Sequence, residues 1–155
     1  MANQSKVFIS YSHDSKAHKE QVFDLSETLR LHGIDADLDQ YHENPPEGWP
    51  RWMRNRLEWA DYVLVVCSST YLRRFEGTET IGIGRGAKWE GAIITQNLYN
   101  AESEQSKFIP VIPSAGAPDD IPVVLQSATH YRMSTQSYWK WSQQLEAKTH
   151  QKVTP

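Results

Sequence analysis

Residues 62–68 read YVLVVCS, and the fold turns on them. The run is apolar, rich in β-branched side chains and too short for a core helix, which marks a strand buried on both faces. Such a strand belongs to the middle of a parallel sheet covered by helices. Upstream, "KVFIS" (6–10) reads as a first strand, and residues 15–32 carry Val22, Leu25 and Leu29 at helical spacing. Asp14 or Ser15 is placed to cap that helix and Gly33 to close it. "IDADLD" (34–39) alternates apolar and polar residues, a second strand. The loop "QYHENPPEGW" (40–49) follows, and Pro50 suits the first turn of a helix whose Trp49, Met53 and Leu57 share a face.

Downstream, "KFIPVI" (107–112) reads as a fourth strand, with Pro110 arguing for a place near the sheet edge. "ATHYRM" (128–133) is a weaker fifth, before a Trp-rich helix over 138–148. Alternating strands and helices predict an α/β fold, a flavodoxin-like three-layer sandwich with a five-stranded parallel sheet in the order 2-1-3-4-5. Ligands of such sheets bind beyond the carboxyl ends of the strands, at the crevice between the first and third. The bordering loops are "SYSHDS" (10–15) and the long segment from Ser68 to Trp89, with "QYHENPPEGW" leaving the same edge.

The bulk composition narrows the function. With 155 residues, 39% hydrophobic and 23% charged, the chain suits one folded domain. A net charge of −3 gives no general attraction to nucleic acid or to an anionic membrane. No apolar run approaches the roughly 20 residues of a spanning helix. The polar start "MANQSKVFIS" shows no signal peptide, so a cytoplasmic location is expected. Cys67 is the single cysteine, and the histidines lack metal-site spacing, so no metal is expected. Arg51, Arg54 and Arg56 read as a solvated helix face.

Residues 82–94, "GIGRGAKWEGAII", carry the sharpest chemical signal. If a helix starts near Ala87, then Glu90, Ile94 and Leu98 lie along one face, with a carboxylate at the top of the core-facing stripe. A charge there needs a partner or a task. Its helix follows the third strand, so Glu90 points toward the crevice. It either contacts a sugar or a developing cation there, or merely complements the helix dipole. The "GIGRG" loop lacks the GK[ST] of a phosphate-binding loop and reads as a hinge, although Arg85 suits a phosphate contact. "SYSHD" offers hydroxyls, a phenol and an imidazole that can bind a ribose or simply cap a helix. Trp49 and Trp89 can stack on a planar ring or fill the core.

Taken together, "VFISYSHDS", "GIDADLDQY", "ADYVLVVCSSTY" and "KWEGAIITQNLY" resemble a TIR-fold domain, and more narrowly its bacterial SEFIR-type branch, over roughly residues 5 to 145. Residues 1–148 are then one TIR/SEFIR-like domain and 149–155 a polar tail, a linker toward a sensor module outside this chain. The resemblance implies an NAD⁺ hydrolase that cleaves the nicotinamide–ribose bond, with NAD⁺ as substrate and no cofactor. Glu90 matches the catalytic position. Ser10, Tyr11, Ser12 and His13 match the loop lining the pocket, with Asp39, Trp49, Arg85 and Trp89 as further substrate-binding residues. Trp89 directly precedes Glu90, whereas the family often separates the two. The 40–50 loop, with Tyr41, Pro45, Pro46 and Gly48, matches the family's BB loop, through which such domains self-associate. The implied setting is bacterial antiphage defence, triggered by a fused or separate sensor such as a STING, SAVED or Argonaute-type module. The competing implication is a non-enzymatic adaptor that signals by homotypic assembly. A deoxyribosyltransferase of similar sheet order is a third reading.

Overall fold

The computed structural model describes residues 5–76, 107–114, 116–126 and 130–133. Five strands, β1 (Lys6–Ser10), β2 (Asp35–Asp37), β3 (Tyr62–Val66), β4 (Phe108–Ile112) and β5 (Tyr131–Arg132), form one sheet in the order β2-β1-β3-β4-β5, and every pairing is parallel. Helix α1 (Lys16–Leu31) links β1 to β2, and α2 (Trp49–Trp59) links β2 to β3. A third helix, α3 (Ser69–Glu76), follows β3 at once. The expected order and strand direction are therefore present.

Alternation along β1 and β3 divides the core in two. Val7, Ile9, Leu64 and Val66 pack with Val22, Leu25 and Leu29 of α1 on one face. Phe8, Val63 and Val65 pack with Trp52, Met53 and Leu57 of α2 on the other. Successive strand side chains point to opposite faces, so a strand must be apolar throughout to serve both layers. β3 does so, and all five of its residues are buried. Burying each large aliphatic side chain contributes about 1.5–3 kcal/mol, which makes these two layers the main source of stability.

Helix α1 is capped as its sequence suggests. The Ser15 hydroxyl accepts from the His18 amide at 3.1 Å, and Gly33, at φ +83°, turns the chain out after the C-cap at His32. Pro110 occupies β4 beside the edge strand. Ile112 O accepts from Met133 N, so Pro110, two residues earlier, turns its nitrogen to the β5 side. β5 pairs only with Val111 and Ile112, and the missing N–H of Pro110 costs no ladder bond. The segment after Ser68 is not loop from its start, because its first eight residues form α3. Two helical turns are too few for hydrophobic periodicity to stand out. The helices expected over 87–98 and 138–148 lie outside the described residues.

Candidate functional site

The carboxyl ends of β1 and β3 are held together by serine and tyrosine hydroxyls. Ser10 Oγ lies 2.8 Å from Tyr71 Oη, and Ser12 Oγ lies 3.3 Å from Ser68 Oγ. Ser68 caps α3 by accepting from the Tyr71 amide at 3.1 Å, while Ser12 also donates to the Asp14 carboxylate. Ser10 and Ser12 are buried, at 0% and 1% exposure, so they form the floor of the crevice rather than its open wall. Two helix amino termini, those of α1 and α3, flank this floor.

The wall comes from the chain after β2. Residues Asp39–Tyr41 make a short 3-10 turn that brings Asp39 against the β1 loop. Tyr11 Oη donates to Asp39 Oδ1 at 2.6 Å, and His13 Nε2 lies 2.6 Å from Asp39 Oδ2. Gln40 Nε2 donates to Tyr11 Oη at 2.8 Å and to Lys19 O at 3.0 Å. The Tyr11 and His13 rings stand 5.1 Å apart. Burial pushes the Asp39 carboxyl upward, but the hydrogen bonds from His13 and Tyr11 and the charges of His13 and Lys19 prevail, holding it below the usual carboxylate range. Asp39 is therefore an anion at neutral pH, suited to accept hydrogen bonds and unsuited to act as a general acid.

Beside this network lies a histidine of different character. His18, in the first turn of α1, is 9% exposed, and its Nε2 has no hydrogen-bond partner, the Asp14 carboxylate standing 3.9 Å away. Burial lowers its pKa, against the attraction of Asp14 and with the repulsion of His13. The folded state thus keeps His18 neutral where the unfolded chain takes a proton. Stability is unaffected well above pH 6.5 and falls as the pH drops below about 6.5, because there the unfolded state binds more protons. Replacing His18 with Gln should flatten the stability curve between about pH 6.5 and 5. Denaturant midpoints of both proteins across that range check it; parallel curves would show that His18 does not carry the acid sensitivity.

A second carboxylate fixes the root of the 42–48 loop. Asp37, 7% exposed at the end of β2, accepts from Leu38 N at 2.9 Å, faces His42 Nε2 at 2.8 Å and draws Arg56 Nη1 to 3.5 Å. Arg56 also lies over the Trp59 ring at 4.7 Å. Arg51 and Arg54 stay exposed, so the solvated arginine face holds for those two and fails for Arg56, which turns inward to a carboxylate and an indole.

The described structure brings Ser10, Tyr11, Ser12, His13 and Asp39 together. Trp49 opens α2 and meets Trp52 edge-on at 5.3 Å, against the α2-side core. Tyr41 is turned onto α1, with its hydroxyl 2.9 Å from Ser26 Oγ and 2.5 Å from Glu27 Oε2, and Arg30 3.8 Å above its ring. Pro46 and Gly48 are exposed and Pro45 is half-buried. Arg85, Trp89 and Glu90 lie outside the described residues. Ser68, Tyr71, Gln40 and His18 join the site without having been candidate site residues, and Asp14, expected only as a helix cap within "SYSHD", joins it too. Among the described residues no group of three or more His, Cys, Asp or Glu side chains is placed to hold a metal ion, and no helix is long and apolar enough to cross a membrane. Burial pushes the Cys67 thiol up to about 12, which removes it as a nucleophile at neutral pH.

A doubly wound parallel sheet with serine and tyrosine hydroxyls joining the ends of its first and third strands defines the class, a TIR-like α/β domain. Family comparison makes this specific. The model of the SEFIR domain matches residues 5–143, and the chain belongs to that family. The crystal structure of a prokaryotic SEFIR domain aligns with a TM-score of 0.68 and 32% identity, covering 94% of this chain and 92% of that one. The SEFIR domain of IL-17 receptor B aligns at 0.64 with 14% identity, covering 96% and 99%, a likeness of fold. A CMP N-glycosidase of Clostridium botulinum reaches a TM-score of 0.45 at 12% identity, covering 92% and 99%, too low to carry an argument. No curated protein sequence matches the chain.

Proposed function

We propose that this SEFIR domain hydrolyses NAD⁺ at the nicotinamide–ribose bond, with Glu90 as the catalytic carboxylate, and that self-association switches it on. The observation that supports this reading is the meeting of Tyr11, His13 and ionised Asp39 beside the hydroxyl-lined ends of β1 and β3. That is where parallel α/β sheets bind ligands. Glu90 follows on the same connection after β3, and Arg85 and Trp89 accompany it as contacts for phosphate and ring. NAD⁺ is consumed and no cofactor is invoked. A fused or separate sensor supplies the trigger, and the setting is bacterial antiphage defence in the cytoplasm.

A second reading, a non-enzymatic adaptor, is favoured by the 42–48 loop. Its tip is exposed, yet Asp37–His42 and the Trp49–Trp52 contact anchor both ends, the build of a preformed docking surface. Nicotinamide release from NAD⁺ separates the two. In the first reading it rises about tenfold or more when the domain is clustered on a multivalent scaffold, as raised effective concentration requires. A folded protein that releases none in either state is an adaptor.

A further inference from the structure

Helices α1 and α2 cover opposite faces of the sheet, and each turns a charged ridge to solvent. On α1 the residues farthest from the buried Val22, Leu25 and Leu29 are Lys16, Glu20 and Asp24, all exposed, with exposed Glu27 and Leu31 continuing the ridge. On α2 the residues opposite Trp52, Met53 and Leu57 are Arg51, Arg54 and Glu58, also exposed. Among the described residues Glu20, Asp24 and Arg51 have no ion-pair partner, and Arg54 only approaches Glu58 at 3.9 Å.

The two ridges match when one is reversed. At 1.5 Å per residue, Glu20 and Asp24 stand about 6 and 12 Å beyond Lys16, while Arg54 and Arg51 stand about 6 and 10.5 Å before Glu58. Antiparallel alignment therefore sets Glu58 on Lys16, Arg54 on Glu20 and Arg51 on Asp24, with every contact of opposite sign. The parallel alignment that places Arg51 on Glu20 and Arg54 on Asp24 brings Glu58 against Glu27.

We infer that the α1 ridge of one copy docks antiparallel on the α2 ridge of the next, so that the partner of both surfaces is a second copy of this chain. The inference rests on the self-association part of the function proposed above and is independent of the NAD⁺ chemistry. The contact joins two different surfaces, so it is heterologous and can propagate. Because α1 and α2 both return antiparallel to the strands, each copy is turned by about half a turn from the last and the sheets stack face to face. Charge pairs of this kind set register and partner choice, and salt weakens them.

Two charge-reversed proteins test it by sedimentation velocity of the full chain, without NAD⁺, over a concentration series. One carries Glu20→Lys and Asp24→Lys; the other carries Arg51→Glu and Arg54→Glu. Each alone should associate at least about tenfold more weakly than the unaltered chain. The first then has two basic ridges and the second two acidic ones. Mixed in equal amounts they should recover assembly as an alternating copolymer, which proteins that had failed to fold cannot do. A monomeric unaltered chain, variants that assemble unchanged, or a mixture that stays apart would each overturn the inference. Nicotinamide release is scored separately, so loss of the enzymatic reading leaves this result intact.

Discussion

Glu90→Ala should lower nicotinamide release from NAD⁺ by about 10²–10³-fold while the domain stays folded, the loss seen when one preorganised electrostatic group is removed from a transition state. The leaving group sets how many carboxylates the reaction needs. An ordinary glycosidase uses two carboxylates because its leaving oxygen must be protonated. Nicotinamide departs from a cationic ring as a neutral molecule, so no general acid is needed. What remains is to stabilise the oxocarbenium-like ribose, and one fixed anion near its hydroxyls can do that. Glu90→Gln keeps the shape and removes the charge, so it should fall with Glu90→Ala. Turnover at the unaltered rate in either variant, with an unchanged denaturation midpoint, removes Glu90 from the mechanism.

Asp37→Ala should be the most damaging change for stability near the site, at about 2–3 kcal/mol, because it strands several polar groups at once. Leu38 N–H, His42 and Arg56 all converge on this one carboxylate. His42 and Arg56 keep 36% and 28% side-chain exposure, so water recovers part of the loss and the cost stays below that of breaking a fully buried ion pair. Asp37→Asn retains an oxygen for Leu38 N–H and should cost less. The check is a shift in denaturant midpoint at constant slope, with faster amide exchange over residues 38–48. A loss within about 0.5 kcal/mol, the range of ordinary surface substitutions, would show that the loop is held without Asp37.

Asp37 and Asp39 are two residues apart, yet one anchors the chain toward α2 and the other ties it to the β1 loop. The 42–48 loop is therefore held from both sides of the sheet. Asn44 at φ +42° and Gly48 at φ +83° shape its path, and Gly48 is the residue suited to that conformation. If this loop contacts a neighbouring copy, a shift there reaches Asp39, Tyr11 and His13 through three residues of 3-10 turn.

The strand at 62–66, the helix at 16–31 and the parallel order were legible in the residues themselves. Continuous burial, the 3.6-residue period and alternation of strands with helices are local patterns that survive without knowledge of the partner surfaces. The adjacency of β1 and β3 was legible too, because the alternation of strands and helices fixes which strands are neighbours. The fate of individual polar and aromatic side chains depended on contacts between residues far apart in the chain. Tyr71 reaching Ser10, Tyr41 lying under Arg30 and Arg56 turning to Asp37 follow only once α1, α2 and α3 are docked. A sequence pattern records which side chains must leave water; which polar group satisfies which buried partner is decided by the tertiary structure, since a hydrogen bond requires two atoms within about 3 Å and no local period encodes that distance.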